Sequence, residues 1–220
     1  MDKRGIIFGD YNTAVNGWTL TAWKLSVAEQ KTKYIDKPGG DGTWDLTTVL
    51  TDGIVRYKDR VLTATFECSE DSRLTRENEI RRMVNALDGM RVDIVLPDDT
   101  EHYMVGRLKV VREYNDLAHA CVTVTATCEP WKYANAETIV TVAATEEAQP
   151  VTLQNEGRRA VVPEISVTGG TVHLEYGSKT TTLSEGTWQW ANLLLTPGDH
   201  ALTYRGEGSI DITYREAVLE

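Results

Sequence analysis

The sequence predicts a mainly β protein with one helix, arranged as an α+β N-terminal domain over residues 1–140 and a C-terminal β-sandwich over residues 141–220. Three observations carry this expectation. Polar and apolar residues alternate through much of the chain, as strands with one buried face require, most clearly where Leu62, Ala64, Phe66 and Cys68 alternate with Thr63, Thr65 and Glu67. The period changes to three and four at Ile80, Met83, Val84 and Leu87, the spacing of one amphipathic helix. Beyond residue 160, turn formers recur at short, regular intervals, which suits a small sandwich.

Taken in order, the chain up to about residue 60 is rich in Gly, Asp and Thr, with short strands around Trp18-Thr19-Leu20 and Lys24-Leu25-Ser26-Val27. The stretch Lys37-Pro38-Gly39-Gly40-Asp41-Gly42-Thr43 is dense in turn formers and reads as an exposed, adaptable connection. Residues 37–60 are the expected contact arm. After the strand from Arg60 to Cys68, a helix is expected between Ser72 and Asp88, with Ser72 or Thr75 as cap and Gly89 as stop. The opposite side, Arg76, Glu77, Glu79, Arg81 and Arg82, is expected to be solvated. Val92–Leu96 and Tyr103–Val111 form a hairpin about the turn Pro97-Asp98-Asp99-Thr100. Ala120–Cys128 alternates as a further strand that Pro130 ends. The polar stretch Thr145–Pro150 suits a domain boundary. Strands follow at Ala160–Val167, Thr171–Tyr176, Thr180–Leu183, Thr187–Leu195, His200–Arg205 and Ser209–Tyr214, with glycine turns between most of them.

Composition narrows the function. A chain of 220 residues with 41% hydrophobic and 25% charged residues folds as an ordinary globular protein, long enough for two modest cores. A net charge of −10 argues against a general nucleic-acid binder, which gains affinity by neutralising phosphates with Lys and Arg. There is no run of about 18 apolar residues, and the start lacks the apolar core of a signal peptide, so synthesis in the cytoplasm is expected. Cys68, Cys121 and Cys128 lie in apolar-patterned segments and read as buried free thiols.

Catalytic patterns are missing. Neither phosphate-binding glycine motif nor a Gly-x-Ser-x-Gly elbow occurs. The four histidines, His102, His119, His173 and His200, are scattered singly, without metal-ligand spacing. Asp98, Asp99 and Glu101 read as hairpin-turn carboxylates rather than general acids. The chain is expected to be no enzyme and to need no cofactor or metal. Trp188 and Trp190, two apart on an expected strand, should share one sheet face, either as core or as a platform for stacking sugars that Tyr176, Tyr204 and Tyr214 would widen.

The order of features from Lys37 to Ala134 resembles the siphophage distal tail protein family. A Gly-rich turn precedes Trp44-Asp45-Leu46-Thr47, Tyr57-Lys58-Asp59-Arg60 opens a strand, and a helix follows. Then come Val92–Leu96, the Pro97-Asp98-Asp99 turn, Tyr103-x-x-Gly106-Arg107 and Thr127-Cys128-Glu129-Pro130-Trp131-Lys132-Tyr133. The C-terminal part is similar in Leu153–Gly157, Val162–Ile165 and Gly206–Glu216. The resemblance implies a structural virion protein: a homo-hexameric ring of N-terminal domains joining the tail tube to the host-binding tip, with a galectin-like C-terminal sandwich projecting outward. It implies as partners other copies of the chain, tail-tube proteins and tail-tip or receptor-binding proteins, with DNA passing through the lumen without specific binding and no membrane. The alternative reading is a carbohydrate-binding adhesin module of the tail, with Trp188 and Trp190 as the stacking pair.

Overall fold

A computed structural model describes residues 5–51, 53–70, 72–116 and 118–220. The first four residues, on which the reading of the N-terminus partly rests, and Asp52 of the expected arm lie outside the described residues. The chain is mainly β with one helix, as the sequence predicts. It divides into two compact units, Met1–Lys132 and Tyr133–Glu220.

The first unit contains β1 (Ile7–Phe8), β2 (Tyr11–Asn12), β3 (Thr19–Leu25), β4 (Tyr34–Asp36), β5 (Thr43–Asp45), β6 (Arg60–Cys68), α1 (Arg73–Leu87), β7 (Arg91–Leu96), β8 (Asp99–Asn115) and β9 (Ala120–Cys128). Its main sheet runs β2-β1-β7-β8-β9-β6-β3, antiparallel at each step. The two short strands expected before residue 28 are one, β3, which absorbs an irregularity between Leu20 and Ala22. β8 is longer than the hairpin pattern suggests, because it pairs with β7 up to Arg107 and with β9 from Gly106 to Asn115. Alternation puts Leu62, Ala64, Phe66, Val122, Val124 and Ala126 on one face, where Ile80, Met83 and Leu87 of α1 join the same core. Gly106 is required in that core: a Cβ there would lie 2.8 Å from Cys128 Sγ and 2.9 Å from Ile94 Cδ1.

Ser72 caps α1 by accepting from Leu74 N, and Gly89 follows with φ +76. One residue departs from the expectation for the helix. Arg76, read as solvated, is buried on the same stripe as Ile80, Met83 and Leu87. Burial of a guanidinium is tolerable only when its donors are used. Arg76 Nε donates to Asn115 Oδ1 at 3.2 Å, Nη2 to Asp116 O at 2.8 Å and Nη1 to Glu70 O. The charge therefore pins the irregular chain on either side of the first turn of the helix.

β10 (Lys132–Ala134) spans the division, and the second unit goes on with β11 (Thr138–Ala144), β12 (Gln149–Asn155), β13 (Glu164–Tyr176), β14 (Lys179–Gln189), β15 (Gly198–Gly206), β16 (Gly208–Tyr214) and β17 (Ala217–Val218). The division thus falls at residue 132 rather than 140. The stretch read as a boundary is instead strand, loop and strand: β11 pairs with β16 along its whole length, β12 pairs with β15, and Thr145–Ala148 only links them. Pro150 is tolerated because β12 is an edge strand.

The expected separate strands of the sandwich are longer strands bent at glycines. The first half of β13 pairs with β16 and the second half with β15, while β14 lies along the other side of both halves. All bend at the same level, where Thr168–Gly170, Gly186 and Gly206–Gly208 lie. The buried residues of β13 change phase there, from Ile165 and Val167 to Val172 and Leu174. Both halves feed one core with Leu153, Leu202, Tyr204, Ile210 and Ile212, so a single folded sheet provides both layers. Only glycine fits the corner: a Cβ at Gly206 would lie 2.2 Å from Thr171 O, and one at Gly208 would lie 2.2 Å from Thr168 O.

Gly206→Ala is expected to destabilise the second unit by more than about 3 kcal/mol, since it adds a backbone clash to an unfavourable φ. Gly177→Ala, in open space at φ +59, should cost only about 1 kcal/mol. Denaturant unfolding of the two variants compares them directly.

Candidate functional site

Between β3 and β6 the chain leaves the sheet as an arm. Its stalk is an antiparallel ribbon: Ser26 N donates to Val61 O, Lys58 N to Glu29 O and Lys31 N to Arg56 O, with a bridge between Gln30 and Tyr57. The tip is the β4–β5 hairpin, closed by Gly39 (φ +68) and Gly42 (φ +79), and Lys37 N donates to Gly42 O across it. Asp45 Oδ1 accepts from Thr47 N at 2.9 Å, and the hydrogen bonds of Thr47 hold the Asp45 carboxyl below its ordinary value. The expected arm of residues 37–60 is therefore the return half of a longer excursion that starts at Ser26.

Every residue of β4 and β5 is exposed. Ile35 and Trp44 face each other across the hairpin with 43% and 50% exposure, and Tyr34, Val49 and Leu50 are exposed as well. A two-stranded ribbon has too little burial to be stable alone, and clustered exposed apolar side chains mark contact surfaces. The arm is built to be covered.

Its root is rigid. Arg60 is buried, and its Nε donates to Ser26 O at 2.8 Å, while Val61 N donates to Ser26 Oγ at 2.8 Å. Tyr57 packs edge-on against Trp131, with ring centroids 5.4 Å apart. Lys58 Nζ meets Glu29 Oε2 at 3.0 Å, an exposed pair of minor energetic weight. Sequence reasoning placed the arm but missed Arg60; an arginine in the inward phase of an otherwise apolar strand was the signal available.

Two recesses flank this region within the first unit. One of about 480 Å3 is lined by Asp59, Arg91, Arg107, Lys109 and Glu129; Arg91 pairs with Glu129, and Arg107 Nη1 donates to Gly89 O at 2.8 Å. The other, about 320 Å3, lies beside β3 and is lined by Leu20, Thr21, Ala22, Trp23, Pro97 and Asp98. β3 ends the strand order, so its outer edge lacks a strand partner within the sheet.

The remaining candidates have structural roles or stand apart. Asp99 is held between Lys132 Nζ and His102 Nδ1, each at 2.8 Å. Partial burial opposes its ionisation, but these two partners prevail and keep the carboxyl below its ordinary value of 3.8. Cys68, Cys121 and Cys128 are buried free thiols; burial pushes Cys128 up to about 11. No group of His, Cys, Asp or Glu among the described residues could hold a metal ion, and no helix among them is long and apolar enough to cross a membrane.

The tryptophan pair does not form a platform. Trp190, beyond the end of β14, is 9% exposed and belongs to the core of the second unit, whereas Trp188 is 41% exposed. The Trp188 indole folds back along its own edge strand, its Nε1 donating to Ser184 O at 2.9 Å and lying 3.5 Å from the Cβ position of Gly186. Tyr204 and Tyr214 are core residues, and the Tyr176 hydroxyl is engaged with His200 Nδ1 at 2.6 Å.

No family profile matches the chain, and no curated protein matches it. Among solved structures, it is similar to the crystal structure of the Dit protein (gp 19.1) of phage SPP1, described as a paradigm of the hub adsorption apparatus in phages infecting Gram-positive bacteria. The two share 16% identity and superpose with a TM-score of 0.63 over 97% of this chain and 98% of that one. At that identity the likeness is one of fold.

Two outcomes follow from this geometry. Arg60→Met keeps the apolar stem and removes the donors, so backbone amides at Lys31 and Lys58 should exchange about tenfold faster by hydrogen–deuterium exchange while the sheet core keeps its protection. Asp99, with its carboxyl depressed in the folded state, contributes stability above its ordinary value and loses it as pH falls through the folded value. The stability gap between the native chain and Asp99→Asn should therefore be present at about pH 6 and shrink as pH is taken below the ordinary value of 3.8 in denaturant titrations.

Proposed function

We propose that the chain is a structural protein of a phage tail, a hexameric ring at the distal end that joins the tail tube to the host-binding tip. The observation that carries this reading is a fold shared end to end with a phage hub protein. The arm supports it. A ring of identical subunits needs a heterologous contact, in which one patch on each copy meets a different patch on the next. The exposed hairpin with Ile35 and Trp44 is one such patch. The free edge of β3 with its adjoining recess is the other, available for strand addition.

In this reading the partners are neighbouring copies, the tail tube, and tail-tip or receptor-binding proteins. The protein is made in the host bacterial cytoplasm and resides in the virion tail. The second unit is galectin-like in this reading. Net charge of −10 suits a lumen through which DNA passes without binding, because like charge removes the counterion-release gain. The role is structural rather than enzymatic, and it requires no cofactor. An adhesin using Trp188 and Trp190 together is disfavoured, since Trp190 has no free face to offer.

Light scattering over a concentration series, with negative-stain imaging, tests the reading. Six chains of 24.5 kDa give about 147 kDa, and six-fold rings of that mass are expected. A strict monomer at the highest concentrations would overturn self-assembly. Trp44→Asp should abolish the ring without altering the thermal midpoint, because Trp44 contributes little to the core of the isolated chain.

A further inference from the structure

The outer face of the folded sheet in the second unit carries a candidate site independent of the arm. There β14, β13 and β15 lie side by side, and their registers align two polar rows: Thr182, His173 and Arg205 in one, Thr180, Glu175 and Thr203 in the next. With strands about 4.8 Å apart and about 7 Å between same-face neighbours, the grid covers roughly 10 by 7 Å. These six side chains line an open cavity of about 400 Å3. Beneath them Val172, Leu174, Leu183 and Tyr204 are packed in the core, so the backbone presenting the grid is fixed.

The charged groups of the grid are not consumed internally. Glu175 and Arg205 sit diagonally across two adjacent strands, yet among the described residues neither forms an ion pair. The one side-chain contact between grid members joins His173 Nδ1 to Thr182 Oγ1 at 2.8 Å, and it orients the imidazole so that Nε2 is left for a ligand. The face therefore offers a two-oxygen acceptor, a forked donor, an imidazole nitrogen and threonine hydroxyls, converging on one hollow.

We propose that this grid binds a neutral saccharide through its vicinal hydroxyls. A pair of neighbouring hydroxyls donates to both oxygens of a carboxylate and accepts from both arms of a guanidinium, which are the stronger, charge-assisted kinds of hydrogen bond. One carboxylate and one guanidinium balance each other, which favours an uncharged ligand over an anionic one. No Trp, Tyr or Phe is among the six grid residues, and Trp188 lies on the other half of the bent strand, opposite Ile165. Binding without stacking is weak.

Saturation-transfer NMR on the full chain tests this, because it reads weak ligands on particles of any size. The probes are methyl glucoside, methyl galactoside and N-acetylglucosamine at about 10 mM, suited to millimolar affinity, with glycerol phosphate as the anionic comparison. Transfer to the ring protons of a sugar is expected, falling about fivefold in Arg205→Met and in Glu175→Gln as a charge-assisted hydrogen bond is lost, and unchanged in Trp188→Ala. Matched thermal midpoints establish that these surface variants are folded. The proposal is overturned by no transfer to any sugar, by transfer that survives both grid substitutions, or by selective binding of glycerol phosphate. Light scattering on the same samples reports the ring separately, so each idea fails on its own measurement.

Discussion

Two buried guanidinium groups tie the irregular parts of the first unit to its sheet. A charge taken out of water is costly unless its donors find acceptors; Arg76 donates to two backbone carbonyls and a side-chain amide, and Arg60 donates to a backbone carbonyl. Arg76 gathers Glu70, Asn115 and Asp116 around one end of the helix. Arg60 takes the carbonyl of Ser26, where the chain departs from β3. The same chemistry thus holds the helix against the sheet and gives the arm a fixed point of departure. An arm with a fixed root and an exposed apolar tip can reach a neighbour without a large loss of conformational freedom on docking.

The second unit rests on a different constraint, the close approach of backbones at a corner. Gly206 and Gly208 let β15 and β16 pass within van der Waals contact of the carbonyls of Thr171 and Thr168. Because β13 and β14 bend at the same level, one sheet supplies both layers of the core, and no separate crossover is needed. The corner also divides the outer surface into two faces with different chemistry. The half beyond the corner from Ile165 and Trp188 carries the polar grid around Glu175 and Arg205. Burial of Leu174 and Tyr204 beneath it anchors the backbone that presents that grid.

A structural role in a tail and a weak saccharide site are compatible demands on such a chain. The proposed ring would draw on residues of the first unit, the proposed saccharide site on one face of the second. Avidity would link them in the proposed assembly: several weak sites presented together on a multivalent surface need no tight binding at any one of them.

The sequence by itself determined the class of the fold and most of its elements, because period-two alternation and a single period-three-and-four stretch report which side of each element meets a core. β6, α1 and β9 lie where those patterns place them, and Ser72 is the cap of the two candidates, Ser72 and Thr75, that residue type offered. The glycine-rich stretch at residues 37–43 pointed to the arm for the same local reason. What only the tertiary structure decided involves partners distant in sequence. Arg76 reads as surface until Asn115 and Asp116 are brought beside it. Thr168–Gly170 and Gly206–Gly208 read as ordinary turns until they meet across a corner and become bends within longer pairs. Trp188 and Trp190 read as a matched pair until the strand ends between them and one ring enters the core. Local pattern fixes which side of an element is apolar, but satisfaction of buried polar groups and close backbone approach depend on what the rest of the chain puts there.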